Sequence, residues 1–148
     1  MSKPEQQLRF HHVGIVVASI QDSIESYKRS LGAEWDGKIF EDPNQKVRVT
    51  FLSTGPGQAT IELVEPAGPD APVQRFLNER GGGVLHHVCY EVPDVQEQLV
   101  TMRARGAMIA KKPKPAVAFD GRLIAWVITA ERLLIEYVEA PRASEPVP

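Results

Sequence analysis

The tetrapeptide FHHV at residues 10–13 returns 75 positions later as LHHV at 85–88. The match continues past the histidines: Ile20, Ile24 and Tyr27 fall on Val95, Leu99 and Met102, and IELVEP (61–66) reappears as IEYVEAP (135–141) at an offset of 74. His12 precedes Glu62 by 50 residues, and His87 precedes Glu136 by 49. Two coincidences at nearly one offset argue for a duplicated unit of about half the chain. A repeat constrains the fold strongly, because each copy must make the same supersecondary unit.

Each copy reads as a strand, a helix and then several strands. In HHVGIVV the side chains alternate, so Val13, Ile15 and Val17 share a face suited to packing beneath a helix, with His12, Gly14 and Val16 opposite. In the second copy Val88, Tyr90 and Val92 take the packed face, while His87, Cys89 and Glu91 take the other. By the same alternation His11 and His86 fall on the packed side and read as structural.

Ser19 is placed to cap a first helix, with Asp22 favouring its dipole, a stripe of Ile20, Ile24, Tyr27 and Leu31, and Gly32 as its stop. Asp94, Glu97 and Gly106 punctuate the equivalent helix in the copy. The strands KVRVTFLST and ATIELVEP follow in the first half, RLIAWVIT and LLIEYVE in the second. Between the halves, GPDAPVQRFLNERGGG predicts a short helix capped by Asp70. The expected organisation is a single domain over 1–148, with modules at 8–66 and 84–141 and a helical connector at 67–83. The ends, 1–7 and 142–148, are expected to be loose.

Bulk properties remove several function classes. A net charge of −2 gives no reason to expect nucleic acid or an anionic membrane as partner. Cys89 is the single cysteine, so nothing implies an oxidising compartment. No apolar run approaches a membrane span, and the first residues lack a signal core; a cytoplasmic protein is the simplest expectation.

The chemistry concentrates in the repeat. Glu62 and Glu136 alternate with apolar neighbours, so each faces away from the packed core. If the two sheets curve toward one another, His12, Glu62, His87 and Glu136 converge as a donor set suited to a divalent metal. Singly, each has an ordinary structural explanation; repeated with their surroundings, they favour ligation. Cys89 shares the face of His87 but reads as a small buried hydrophobe. Lysines at 111, 112 and 114, with Lys46 and Arg48, could serve a phosphorylated substrate, although a lysine run more often marks a solvated loop.

The segments FHHVGIVV, FLSTGPGQATIELVEP, APVQRFLNERGGGVLHHVCYEV and GRLIAWVITAERLLIEYVE resemble the vicinal oxygen chelate superfamily. Within it, they resemble most the methylmalonyl-CoA epimerases, over residues 9–141. The resemblance implies an α+β fold of two tandem βαβββ modules forming an open, curved barrel around a metal. It implies His12, Glu62, His87 and Glu136 as ligands of Co, Mn, Ni or Zn, a homodimer, and a small-molecule substrate of the acyl-CoA type. It also implies two proton carriers: Glu136 and a loop glutamate, at whose position this chain has Asn44. Glu41 and Asp42 are the nearby carboxylates, and Glu41 is the second catalytic candidate. Epimerisation next to a thioester is thus the expected activity. The alternatives are a glyoxalase-type lyase or isomerase on another carbonyl substrate, and an antibiotic-binding protein of the same fold.

Overall fold

The computed structural model describes residues 5–57 and 60–141. Among the described residues, nine strands and three α-helices give a mixed, open α+β arrangement: β1 (Arg9–Val16), α1 (Ile20–Leu31), β2 (Glu34–Trp35), β3 (Phe40–Asp42), β4 (Val47–Ser53), β5 (Thr60–Pro66), α2 (Pro72–Arg80), β6 (Val84–Val92), α3 (Val95–Ala104), β7 (Met108–Pro115), β8 (Leu123–Ile128) and β9 (Leu134–Glu139). The chain resolves into two compact units. The first is His11–Val88; the second joins the residues up to Phe10 with those from Cys89 onward. The boundary falls inside β6, four residues beyond the start of the sequence repeat, so the first unit keeps both histidine pairs.

In the first unit the strand order is β2-β4-β5-β1-β6, with β3 also paired to β4. β5 lies parallel to β1 and antiparallel to β4, which sets Gly14 beside Glu62 and Phe51 on its other side. Pleating therefore gives Gly14, Phe51 and Glu62 one face, and Ile15, Thr50 and Leu63 the other. That second face meets α1: Val17, Ile20, Ile24, Ala33, Leu52 and Leu63 form a buried cluster with Ile15, Tyr27, Trp35 and Ile61 against it. Ser19 caps α1 as expected, its Oγ accepting the Asp22 N–H at 3.2 Å. Gly32 ends the helix in the left-handed region at φ +59°. Leu31, expected on the apolar stripe, is exposed.

Four strands rather than three follow α1. β2 and β3 both pair with β4 along one edge, interrupted over 36–39 where Gly37 takes φ +80°. The interruption is braced by Thr50, whose hydroxyl donates to the Lys38 carbonyl at 2.5 Å and accepts from Trp35 Nε1 at 2.6 Å. The connector also differs at its start. Ala71, not Asp70, is the N-cap of α2, with Pro72 opening the helix, because Asp70 is held by Lys46 at 2.5 Å.

In the second unit the order is β6-β9-β8-β7. Asp94 caps α3 by accepting the Glu97 N–H at 3.0 Å. Gln6 is tied in rather than loose, exchanging two hydrogen bonds of 2.7 and 2.8 Å with the Asp94 backbone. Residues 1–4 and 142–148 lie outside the described residues, as do positions 58 and 59 of the GPGQAT turn. No described helix is long and apolar enough to cross a membrane.

Candidate metal centre

β1, β5 and β6 bring three of the expected donors together in the first unit. His12, Glu62 and His87 are buried, with 0%, 5% and 1% of their surfaces exposed. His12 Nε2 and His87 Nε2 lie 3.1 Å apart, and Glu62 Oε1 is 3.5 Å from the first and 3.2 Å from the second. Burying such groups is costly unless they satisfy one another or an ion. The spacing suits an ion: bonds of about 2.1 Å place neighbouring donors about 3.0 Å apart in an octahedron and about 3.4 Å apart in a tetrahedron. Two imidazoles and a carboxylate also form a donor set that first-row divalent metals accept. Burial alone would push the Glu62 carboxyl up. The charge and hydrogen bond of His12, followed by those of His87, outweigh it and hold Glu62 well below the usual carboxylate range.

Two neighbours shape this cluster, and the sequence reading did not single out either of them for the site. Gly14 faces the His87 ring so closely that a Cβ there would meet ring atoms at 2.0–2.6 Å. The Phe51 ring stands edge-on to His12, with centroids 5.6 Å apart. A glycine on the ligand face two residues after His12 was the available signal for the first. The outer histidines, read from the sequence as structural, have a second tie. His11 Nδ1 lies 2.8 Å from His12 Nδ1, and His86 Nδ1 lies 2.9 Å from His87 Nδ1.

The remaining candidates lie elsewhere. Glu136 is buried on β9 of the second unit, in register with Trp126 of β8. Glu41, the second proton carrier read from the sequence, is not brought to the cluster. It pairs in register with Arg48, meets that guanidinium at 3.5 Å and is largely exposed. Strand alternation sets Arg48 on the face of Thr50 and Leu52, opposite Phe51 and Glu62. Asp42 takes the other face, but its carboxylate accepts from Asn44 N, Gln45 N and Gln45 Nε2 at 3.0–3.2 Å and closes the turn.

Residues 11–126 match the family described as the Glyoxalase/Bleomycin resistance protein/Dioxygenase superfamily. The chain is 29% identical over 119 residues to the ethylmalonyl-CoA/methylmalonyl-CoA epimerase of Cereibacter sphaeroides, covering 80% of this chain and 87% of that one. It is 32% identical to the uncharacterized protein YqjC of Bacillus subtilis, covering 88% and 91% respectively. Among solved structures, the methylmalonyl-CoA epimerase of Mycobacterium tuberculosis superposes with a TM-score of 0.77 at 28% identity, covering 90% of this chain and 89% of that one.

Proposed function

Because the chain belongs to the glyoxalase/bleomycin resistance protein/dioxygenase superfamily, we propose that it is a metal-dependent epimerase inverting the carbon next to a thioester carbonyl, with methylmalonyl-CoA as its substrate. The observation that carries this reading is the buried convergence of His12, Glu62 and His87. The substrate comes from the relatives named for that activity.

Glu136 is proposed as the fourth ligand, on the ground that it repeats Glu62 within the same IE-V-E pattern and is equally buried. A bound Co, Mn, Ni or Zn ion supplies Lewis acidity that polarises a carbonyl and stabilises the adjacent enolate. Nε2 of His12, Nε2 of His87 and Oε1 of Glu62 would hold the ion. Phe51 lines His12 with apolar surface, which favours direct over water-mediated contacts near the ring. Glu136 is the proposed carrier of the C2 proton on one face of the substrate. Glu41 could serve the other face only by leaving Arg48 and crossing the sheet. We therefore expect the second proton to reach the carbon by a route that does not use Glu41. A homodimer in the cytoplasm is part of the same proposal, and sedimentation of the purified chain tests the dimer.

One observation favours a second reading. Asn44 stands at the loop position and Asp42 is committed to its turn, so neither supplies a second base. One base suits a glyoxalase-type lyase or isomerase on another carbonyl substrate. Exchange in heavy water separates the two. The cobalt-loaded protein, given methylmalonyl-CoA of one configuration, is expected to place deuterium at C2 with inversion, well above the uncatalysed background. Exchange with retention selects the one-base reading. Exchange at background overturns the substrate assignment.

A further inference from the structure

The four histidines of the chain form one row of ring nitrogens. His11 Nδ1 meets His12 Nδ1 at 2.8 Å, His12 Nε2 meets His87 Nε2 at 3.1 Å, and His87 Nδ1 meets His86 Nδ1 at 2.9 Å. Two imidazole Nδ1 atoms at such a distance share one proton, since two N–H groups would collide and two lone pairs repel. The tautomer of each outer ring is therefore tied to that of the ring beside it.

We propose that His11 and His86 are positioning residues for the metal: each accepts the Nδ1–H of the histidine beside it and so locks the tautomer that aims Nε2 of His12 and His87 at the ion. The inference rests on the metal reading above. When an ion takes the lone pairs of both Nε2 atoms, the central contact keeps no proton. Nδ1 of His12 and of His87 then carry one each. His11 and His86 must accept at Nδ1 and hold their own proton at Nε2, which leaves all four rings neutral. Ligating histidines usually donate their second N–H to a carboxylate, a backbone carbonyl or water. Here the acceptor is another imidazole, from the adjacent residue.

Two observations support a built arrangement. The geometry occurs twice, with ring centroids 5.1 Å apart in each pair and interplanar angles of 79° and 88°. The His86 ring has a second aromatic contact. Phe76 of α2 stands edge-on to it at 4.9 Å, and Arg80 covers the Phe76 ring at 5.7 Å. The connector helix thereby steadies an imidazole that touches a ligand, a role its position between the repeats does not reveal.

A purely packing role would survive phenylalanine, which keeps the ring and loses the acceptor. Asparagine does the reverse, placing Oδ1 where Nδ1 was. His11→Phe and His86→Phe are expected to raise the Kd for zinc by about 10- to 100-fold, and His11→Asn and His86→Asn by less than about 3-fold. Independently of any variant, ¹⁵N spectra of the zinc-loaded wild-type chain are expected to show Nδ1–H at His12 and His87 and Nε2–H at His11 and His86. Unchanged zinc affinity in the phenylalanine variants, or Nδ1–H at an outer histidine, overturns the inference and leaves the metal centre standing. A wild-type chain that takes up no zinc overturns both.

Discussion

The two halves build their helix starts alike and their edges differently. In the first, the carboxylate at the end of β5 reaches the α1 N-terminus, Glu65 Oε1 accepting the Ile20 N–H at 2.9 Å. In the second, Glu139 Oε1 does the same for Val95 at 3.4 Å. The last glutamate of each IE-V-E pattern is thus a helix anchor, while the first is the candidate ligand. An arginine steadies each: Arg48 donates to Glu65 at 2.5 Å, and Arg122 donates to Glu91 and to the Glu139 carbonyl at 3.1 Å. The edges diverge. In the first half the edge is cut into β2 and β3, whereas β7 runs on through two register shifts, carrying Lys111, Lys112, Pro113 and Lys114. Broken pairing, lysine and proline all discourage a further strand from adding to an exposed edge. At the helix anchors the copies agree; at the outer edges they have separated.

The largest effects are expected at the paired donors. Glu62→Gln and Glu136→Gln should both weaken cobalt binding, and Glu136→Gln should also lower turnover by about 10²–10⁴-fold as a lost general base. Cobalt titration beside steady-state rates checks both. A loss confined to Glu62→Gln would mean that the halves do not contribute equally.

Gly14 and Cys89 are repeat partners with opposite demands. Gly14→Val should push the His87 ring aside and reduce cobalt affinity more than about 100-fold, beyond the effect of disturbing an outer partner. Cys89→Ala should leave binding near wild type and cost about 1 kcal/mol in denaturant unfolding. A smaller contrast separates the helix anchors. Glu65→Gln is expected to cost about 1 kcal/mol, or about 3 °C in Tm, and Glu139→Gln about half that, given its longer bond. Least of all, Glu41→Gln should keep turnover within about 2-fold, since its exposed pair with Arg48 contributes little. A large rate loss in Glu41→Gln would return that residue to the reaction.

Much of this was legible in the repeat. Alternation in HHVGIVV separates His12 from the packed valines, and Ser19, Gly32 and Asp94 mark the helix ends through local chemistry that needs no tertiary partner. Asp70 was misjudged as the α2 cap because it is held by a distant cation, Lys46, and local pattern likewise does not reveal that Glu41 lies against Arg48. The outer histidines were read correctly by face but not by reach: alternation specifies where a Cβ points, whereas ring nitrogens of adjacent residues can still meet at the strand. The unit boundary within β6 was also hidden. A repeat marks what was copied, while compactness depends on which strands then pair.

We propose that one histidine and one glutamate from each copy hold a single metal ion. X-ray absorption on the cobalt-loaded wild-type chain, with the metal content measured on the same sample, tests it most directly. One cobalt per chain is expected, bound by two imidazoles and oxygen donors. One imidazole or none at the cobalt, or no stoichiometric uptake at all, would contradict it.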